Sequence, residues 1–281
     1  MNYTTMMIDI IESKKINKEN REELQVFIKK CLSTLNQIFE TTLEFEVIFS
    51  AGDEFQGLFK NPQAAILYYR LLSMLLAPIP IRCGIGYGKW DIRIKDGTSS
   101  EQDGPAYHNA REAIELTQEK KEYSILFNSK NKRDQYLNTL LNTRNLLAQQ
   151  QSNIQTTIQL LYEVINPLVD PELMKNDRID NIYKLVEDRN KKAEYRVNNI
   201  KLLNKQEMFP MFIQSRENIG DGMMIEATKV KGLSSIIAEI TDTTRQNVEK
   251  TIKKADISYI RNIDLAILLY IKENYRGETW K

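Results

Sequence analysis

Hydrophobic and polar positions alternate in two ways along the first 130 residues, and each way predicts one kind of element. Residues 3–10 form a short apolar run that predicts a strand, whereas residues 19–40 carry apolar side chains every three or four positions, the spacing of a helix. Residues 44–50 alternate apolar and polar side chains, the Ala-Gly-Asp sequence at 51–53 indicates a turn, and residues 54–60 run back as a second strand. The pattern therefore predicts a β-hairpin after the first helix.

Two further helix–strand pairs follow the hairpin. A helix starts at Asn61-Pro62, because proline is favoured in a first helical turn, and a strand rich in small residues follows at 78–89. The next pair is a helix at 105–117 and a strand at 123–128. The order β-α-β-β-α-β, extended by α-β, is typical of the ferredoxin-like or palm arrangement, with the first strand and the hairpin side by side at the sheet centre. We therefore predict an α+β fold with a palm domain over residues 1–130.

The rest of the chain has a mainly helical pattern. Residues 131–166 are rich in glutamine and asparagine and carry leucine and isoleucine at helical spacing, which we interpret as an amphipathic connector with a surface suited to dimerisation. Residues 167–214 look helical but irregular, and 216–222 indicate a loop. We predict a helical connector over 131–222 and an all-α helix-turn-helix domain over 223–281.

Charge and composition narrow the function classes. The 39 basic and 38 acidic side chains nearly cancel, so any contact with nucleic acid must come from a local basic surface. Even the most apolar stretch is interrupted by tyrosine, arginine and serine and falls short of the roughly 20 apolar residues of a membrane span. The two cysteines and the single histidine form no disulfide framework and no histidine-rich metal site. We expect a cytoplasmic protein that does not associate with membranes.

Two carboxylates stand at places that a palm sheet brings together. Asp9 follows the first strand and Asp53 lies at the tip of the hairpin. Close carboxylates repel unless a cation lies between them. Mg²⁺ or Mn²⁺ with a nucleoside triphosphate suits such a pair, because Mg²⁺ takes one or two carboxylates and completes its shell with phosphate oxygens. The alternative for each residue is structural: Asp9 ends a strand, and Gly52-Asp53 are favoured in a tight turn.

Four sequence blocks carry a family resemblance. They are Met-Ile-Asp-Ile-Ile-Glu-Ser-Lys from residue 7, Gly-Asp-Glu-Phe-Gln-Gly-Leu-Phe from 52, Ile-Arg-Cys-Gly-Ile-Gly-Tyr-Gly from 81 and Asp-Gly-Pro-Ala-Tyr-His-Asn-Ala-Arg-Glu-Ala from 103. The first two blocks resemble the metal motifs of class III nucleotide cyclases and diguanylate cyclases. The whole set is more similar still to bacterial SatD-family proteins, over residues 1–130 and more weakly over the C-terminal third.

The resemblance implies roles for five residues. Asp9 and Asp53 would hold the metal, Arg82 would line the neighbouring strand, and Asn109 and Arg111 would lie near the ribose and phosphates. If the protein converts the nucleotide as an enzyme, Asp9, Asp53 and Arg111 would be its catalytic residues.

Two departures from the cyclase pattern favour binding over cyclisation. Phe49 stands where ATP-using cyclases carry a lysine, and Asn109 and Arg111 are two positions apart instead of four.

Glu54 should point away from Asp53 if the side chains alternate along the strand. Gly84, Gly86 and Gly88 are too evenly spaced for a dinucleotide motif and indicate close backbone packing.

The C-terminal segment predicts two short helices at helix-turn-helix spacing. Residues 233–240 and 244–255 flank a polar turn at 241–243, and Thr243 or Thr244 can cap the second helix. We expect its outer face to contact double-stranded DNA through Arg245, Gln246, Asn247, Lys250, Lys253 and Lys254. The alternative is a helical hairpin with a solvated basic face, and the lack of a glycine in the turn leaves it open.

These patterns lead to one hypothesis and two alternatives. The leading hypothesis is a nucleotide-responsive DNA-binding transcriptional regulator that acts as a homodimer. The first alternative is a metal-dependent nucleotide cyclase or nucleotidyltransferase, also homodimeric. The second is a structural adaptor in which neither site is active.

Overall fold

The computed structural model describes residues 1–13, 18–94, 96–168, 173–175, 180–191, 223–227 and 229–275. The loop expected at 216–222 lies outside these residues, as does most of the irregular stretch at 167–214. Within the described ranges, every helix is too short or too polar to cross a membrane.

Five strands form one mixed sheet in the N-terminal part of the chain. They are β1 (Asn2–Ile10), β2 (Leu43–Ala51), β3 (Glu54–Phe59), β4 (Ile81–Lys89) and β5 (Ile125–Asn128). Their order is β2-β3-β1-β4-β5, and every neighbouring pair is antiparallel except β4 and β5. The first strand therefore lies beside the hairpin at the sheet centre, as the sequence pattern predicts. The α+β class is confirmed.

Three helices cover the two faces of this sheet. They are α1 (Lys18–Ile38), α2 (Pro62–Leu76) and α3 (Pro105–Glu119). Side chains alternate between faces along a strand, so Met6 and Ile8 of β1 join the core with α1 and α2, whereas Met7 joins a second cluster with Tyr107 of α3. The Asn61 side chain begins α2 by accepting a hydrogen bond from the Ala64 amide at 2.8 Å.

Glycines on β4 allow α3 to approach the sheet closely. A Cβ atom on Gly86 would lie 2.1 Å from the Ala106 carbonyl oxygen and 2.2 Å from the Ala110 nitrogen. A Cβ atom on Gly84 would lie 2.3 Å from the Ala110 carbonyl oxygen. The interpretation of these glycines as close-packing positions is confirmed, and the contact fixes the position of α3 over β4.

The remaining described helices are α4 (Asp134–Gln149), α5 (Asn153–Ile165), α6 (Asp180–Lys191), α7 (Leu233–Ile240), α8 (Arg245–Lys254) and α9 (Ile257–Asn274). The stretch predicted as one helical segment at 131–166 is broken at 150–152. The break coincides with a helix start, because the Gln155 side chain accepts a hydrogen bond from the Ser152 amide at 2.8 Å. The bounds expected for α7 and α8 agree with the structure to within one residue.

A buried network of charged side chains joins α2, α4, α5 and α9. Arg70 donates two hydrogen bonds to Glu163, at 2.8 and 2.7 Å, and a third to Asp264. Arg144 binds the second oxygen of Asp264 at 3.1 Å, and Arg261 binds Glu163. The five side chains are at most 4% exposed. We call these five residues the buried ion network.

The hydrophobic core is continuous from the sheet to the C-terminal helices. One buried cluster includes Met6 of β1 and also Ile237, Val248 and Ile271 of α7, α8 and α9. The C-terminal helices therefore pack on the sheet-side helices, and the division at 130 and 222 stays a prediction drawn from the sequence.

Candidate functional site

Asp9 lies between an acid and a base at the end of β1. In the register of the sheet its Cα is paired with Glu54 of β3 on one side and with Arg82 of β4 on the other. Directly opposed residues on antiparallel strands project from the same face, so the three side chains share one surface. The Asp9 side chain is 18% exposed, and Arg82 Nε lies 3.1 Å from its Oδ2.

Burial and, to a smaller extent, nearby negative charge raise the pKa of Asp9. Burial of the carboxyl makes the largest contribution, which the charge of Arg82 opposes, and the charges of Asp53 and Glu54 add to the rise. Asp53 and Asp9 are thus electrostatically coupled across 44 positions of sequence. The expected approach of the hairpin tip to the end of β1 agrees with this coupling.

The hairpin tip is shaped by Gly52, which has a φ of +58°. This left-handed conformation costs glycine little and strains residues with a side chain. Asp53 directly follows and leads into β3 at Glu54. The turn therefore explains the glycine at position 52, and Asp53 stands at the tip of the hairpin beside it.

Glu54 belongs to this group of carboxylates, a role that the sequence interpretation missed. The alternation of side chains along β3 predicts that Glu54 points away from Asp53. The pairing of neighbouring strands, however, places Glu54 opposite Asp9, and the charge of Glu54 contributes to the raised pKa of Asp9. Only the β1–β3 register reveals this pairing, and a single sequence does not contain that register. We call Asp9, Asp53 and Glu54 the acidic cluster.

Arg111 of α3 reaches the acidic cluster from the helix above the sheet. Its Nη2 and Nη1 donate to the two oxygens of Glu54 at 2.9 and 3.1 Å, and its side chain is 45% exposed. Two arginines, Arg82 and Arg111, therefore flank the three carboxylates. The sequence interpretation placed both arginines at this site, and both contact it.

Asn109 has a different environment from the one the resemblance implies. Its side chain is buried, and its Nδ2 donates to the Tyr87 backbone carbonyl at 3.0 Å. The backbone carbonyl of Asn109 accepts a hydrogen bond from the Asn128 side chain. These contacts hold α3 against β4 and β5. Arg111 therefore contacts the acidic cluster, whereas the side-chain amide of Asn109 binds the backbone of β4.

The acidic cluster offers carboxylate oxygens, which are the ligands that hard divalent cations prefer. Within the described residues, no group of three or more histidine, cysteine, aspartate or glutamate side chains is arranged to hold a metal ion. Mg²⁺ commonly uses one or two carboxylates and takes its other ligands from water and phosphate. Asp9 and Asp53 would supply the carboxylates, and Arg82 and Arg111 would balance phosphate charge.

A second exposed surface lies on α8. The side chains of Arg245, Gln246, Asn247, Lys250, Lys253 and Lys254 are all exposed, whereas Val248 is buried against the core. The Thr244 hydroxyl accepts from the Asn247 amide at 3.2 Å and caps the helix, as expected. Arg245 Nε binds Glu249 one turn later at 2.7 Å.

The turn between α7 and α8 contains no glycine, and Asp242 takes its place. Asp242 has a φ of +48°, a left-handed conformation that aspartate tolerates better than most residues with a side chain. The missing glycine therefore does not prevent a sharp turn between these helices. α8 contacts α5, α7 and α9, which fixes its outer face relative to the rest of the chain.

The fold and the site define an α+β protein whose central mixed sheet carries three carboxylates and Arg82 at one end, where Arg111 reaches them from α3. The sequence model of the SatD family matches residues 3–207, which is more than half of the 281 residues. The chain belongs to the SatD family, as its four sequence blocks indicate. The match ends before α7, so the C-terminal helices lie outside it. The comparison with curated proteins finds no match to this chain.

Proposed function

We propose that this protein is a nucleotide-responsive DNA-binding regulator. The observation that carries the proposal is the acidic cluster of Asp9, Asp53 and Glu54 with Arg82 and Arg111 beside it. A divalent cation would offset the burial and the repulsion from Asp53 and Glu54 that disfavour the charged form of Asp9, and nucleotide phosphates would complete the cation's shell. The bound cation would neutralise phosphate charge, and the two arginines would exchange their carboxylate partners for phosphate oxygens.

Two neighbouring residues favour binding over turnover. Phe49, at the position where the cyclase resemblance places a base-reading lysine, packs edge-on against Phe55 with ring centroids 5.4 Å apart. Asn109 is engaged with the Tyr87 carbonyl. The site therefore lacks two of the polar groups with which the cyclase resemblance would orient a substrate. These features support a sensor as the leading function and nucleotide turnover as the alternative.

A contiguous set of contacts supports communication between the acidic cluster and α8. Arg111 and Asn109 are on α3, Asn109 binds the Tyr87 carbonyl, and the Tyr87 ring contacts Tyr275 with centroids 5.9 Å apart. Tyr275 follows α9, which packs on α8. A displacement of α3 when Arg111 changes partner would be passed through this path to the basic face of α8.

We predict that Asp53→Asn weakens Mg²⁺-dependent nucleoside triphosphate binding at least about tenfold, because the variant removes one carboxylate charge that attracts the cation. Titration calorimetry with each nucleoside triphosphate, with and without Mg²⁺, measures this. Asp96→Asn, an exposed aspartate in the loop after β4, is the matched control and should bind as the natural chain does. Equal binding by all three proteins would refute the nucleotide site.

Product analysis after the same incubations separates the sensor from the enzyme. Mg²⁺-dependent formation of a cyclic or joined nucleotide that disappears in Asp9→Asn would establish the alternative function. An unchanged triphosphate that nevertheless binds supports the sensor.

We predict that Lys250→Ala weakens duplex DNA binding and lowers the slope of log affinity against log salt by about one, because one phosphate contact is lost. Fluorescence anisotropy at several salt concentrations measures this slope. Lys120→Ala, an exposed lysine after α3, should leave it unchanged. For a nucleotide-responsive regulator, Mg²⁺ and nucleotide should also change the DNA affinity of the natural chain about fivefold or more, and that of Asp53→Asn much less. A salt-independent interaction equal in all variants would contradict DNA binding through α8.

A further inference from the structure

A cavity of about 120 Å³ lies between α2, α4 and α5, and its lining contains no residue of the acidic cluster. The segment from Ala77 to Ile81 and the side chains of Met74 and Ala148 give it an apolar wall. Tyr69, Ser73, Arg144, Asn145 and Thr156 give it a polar wall. The cavity therefore offers an apolar side and a polar side to whatever occupies it.

Arg144 connects this cavity to the buried ion network. Its Nε donates to Asp264 and its Nη1 to the Asn145 side chain, both at 3.1 Å. Its Nη2 is buried and has no hydrogen-bond partner among the described residues. A buried guanidinium nitrogen of this kind usually has a partner, and an arginine remains charged at any ordinary pH.

The buried ion network contains one positive charge more than it contains negative charges. Three arginines, Arg70, Arg144 and Arg261, face two carboxylates, and each carboxylate is shared by two arginines. A buried charge without a counter-charge is strongly unfavourable. An anion in the cavity beside Arg144 would bring the network to neutrality.

We propose that this cavity binds a small organic acid through its carboxylate. Arginine donates charge-assisted hydrogen bonds to carboxylates, and one negative charge matches the excess of the network. The apolar wall of Met74, Pro78 and Pro80 suits a short hydrocarbon body. The volume of about 120 Å³ is smaller than the roughly 150 Å³ of a cavity that holds benzene, so it suits an acid with a short chain and excludes a nucleoside triphosphate.

The test uses propionate and butyrate as probes, with propionamide and butyramide as neutral molecules of the same shape. Ligand-observed NMR and thermal unfolding of the full chain should detect both acids and neither amide. Binding should fall as the pH drops below the pKa of each acid, because only the ionised form completes the network. Asp53→Asn should bind the acids normally, so this result is independent of the nucleotide site.

A variant that narrows the cavity without touching the network tests the location. Ala148→Leu adds volume at the partly exposed rim of the cavity and should weaken acid binding at least about tenfold. Thr143→Leu, on the exposed side of the same helix, should bind as the natural chain does. Arg144→Lys should also weaken binding, because the single ammonium of lysine cannot keep the contacts to Asp264 and Asn145 and also donate to a ligand. Equal binding of acids and amides, binding of chloride or phosphate alone, or no loss in Ala148→Leu would overturn the proposal.

Discussion

Replacing Glu163 with glutamine should destabilise the folded chain by about 3–5 kcal/mol, the cost of removing one partner from a buried ion pair. Glu163 is 1% exposed and binds both Arg70 and Arg261, so the substitution leaves two buried guanidinium groups short of negative charge. The three side chains lie on α2, α5 and α9. Urea titration followed by circular dichroism measures the change in the free energy of unfolding.

The matched control is Glu112→Gln. Glu112 pairs with Lys130 on the surface, where both side chains are 58% exposed, and an exposed pair contributes about 1 kcal/mol or less. A Glu163→Gln variant no less stable than Glu112→Gln would contradict the role assigned to the buried ion network.

The same network gives stability a defined dependence on pH. Burial opposes ionisation of Glu163, but the charges of Arg261 and Arg70 and their hydrogen bonds outweigh it and lower the pKa of this carboxyl from 4.5 to about 2. A lowered pKa in the folded state means that the contribution is complete above pH 4.5 and is lost as the pH falls towards 2. The loss of stability across this range should be smaller in Glu163→Gln than in Glu112→Gln.

Replacing Gly86 with alanine should destabilise the chain by about 1–3 kcal/mol and should also weaken nucleotide binding. The added methyl group would lie 2.1 Å from the Ala106 carbonyl oxygen and 2.2 Å from the Ala110 nitrogen, which belong to the α3 backbone. Since no side-chain rotation relieves this overlap, α3 must move away from β4. The movement draws Arg111 from Glu54, so the acidic cluster loses one of its two arginines.

Gly97→Ala is the control for this prediction. Its added methyl group would approach Glu101 Oε2 at 3.0 Å and Ile94 Cγ2 at 3.1 Å, and both side chains are exposed and have room to shift. Unfolding and calorimetric titration of the two variants should separate them clearly. Equal stability and equal nucleotide affinity would show that α3 is not held in place by its contact with β4.

Patterns that depend on neighbouring residues could be predicted from the sequence. The alternation in β2, the Gly52 turn and the proline at the start of α2 are local signals, and together they give the order of the elements. The bounds of α7 and α8 follow from the spacing of Ile237 and Val248 and from the Thr244 cap. In each case the physical cause acts within one turn or one strand.

Features that depend on contacts across the chain could not be predicted in the same way. Glu54 joins the acidic cluster only because β1 and β3 pair in one register. Arg70 and Asp264 are unremarkable in sequence, since charged residues are usually solvated, and only the fold reveals that both are buried. The packing role of Asn109 likewise requires knowledge of where α3 crosses β4.

The buried ion network also sets an order of events during protein synthesis. Arg70 on α2 is bound to Asp264 on α9, 194 positions later, and the Gln63 side chain binds the Leu268 carbonyl, 205 positions later. A ribosome adds roughly 5–20 residues per second, so α2 is made about ten seconds or more before its partners. During that interval Arg70 stays hydrated and the side of α2 that packs on α9 remains uncovered. The nascent chain is therefore open to chaperones and to aggregation until α9 has emerged.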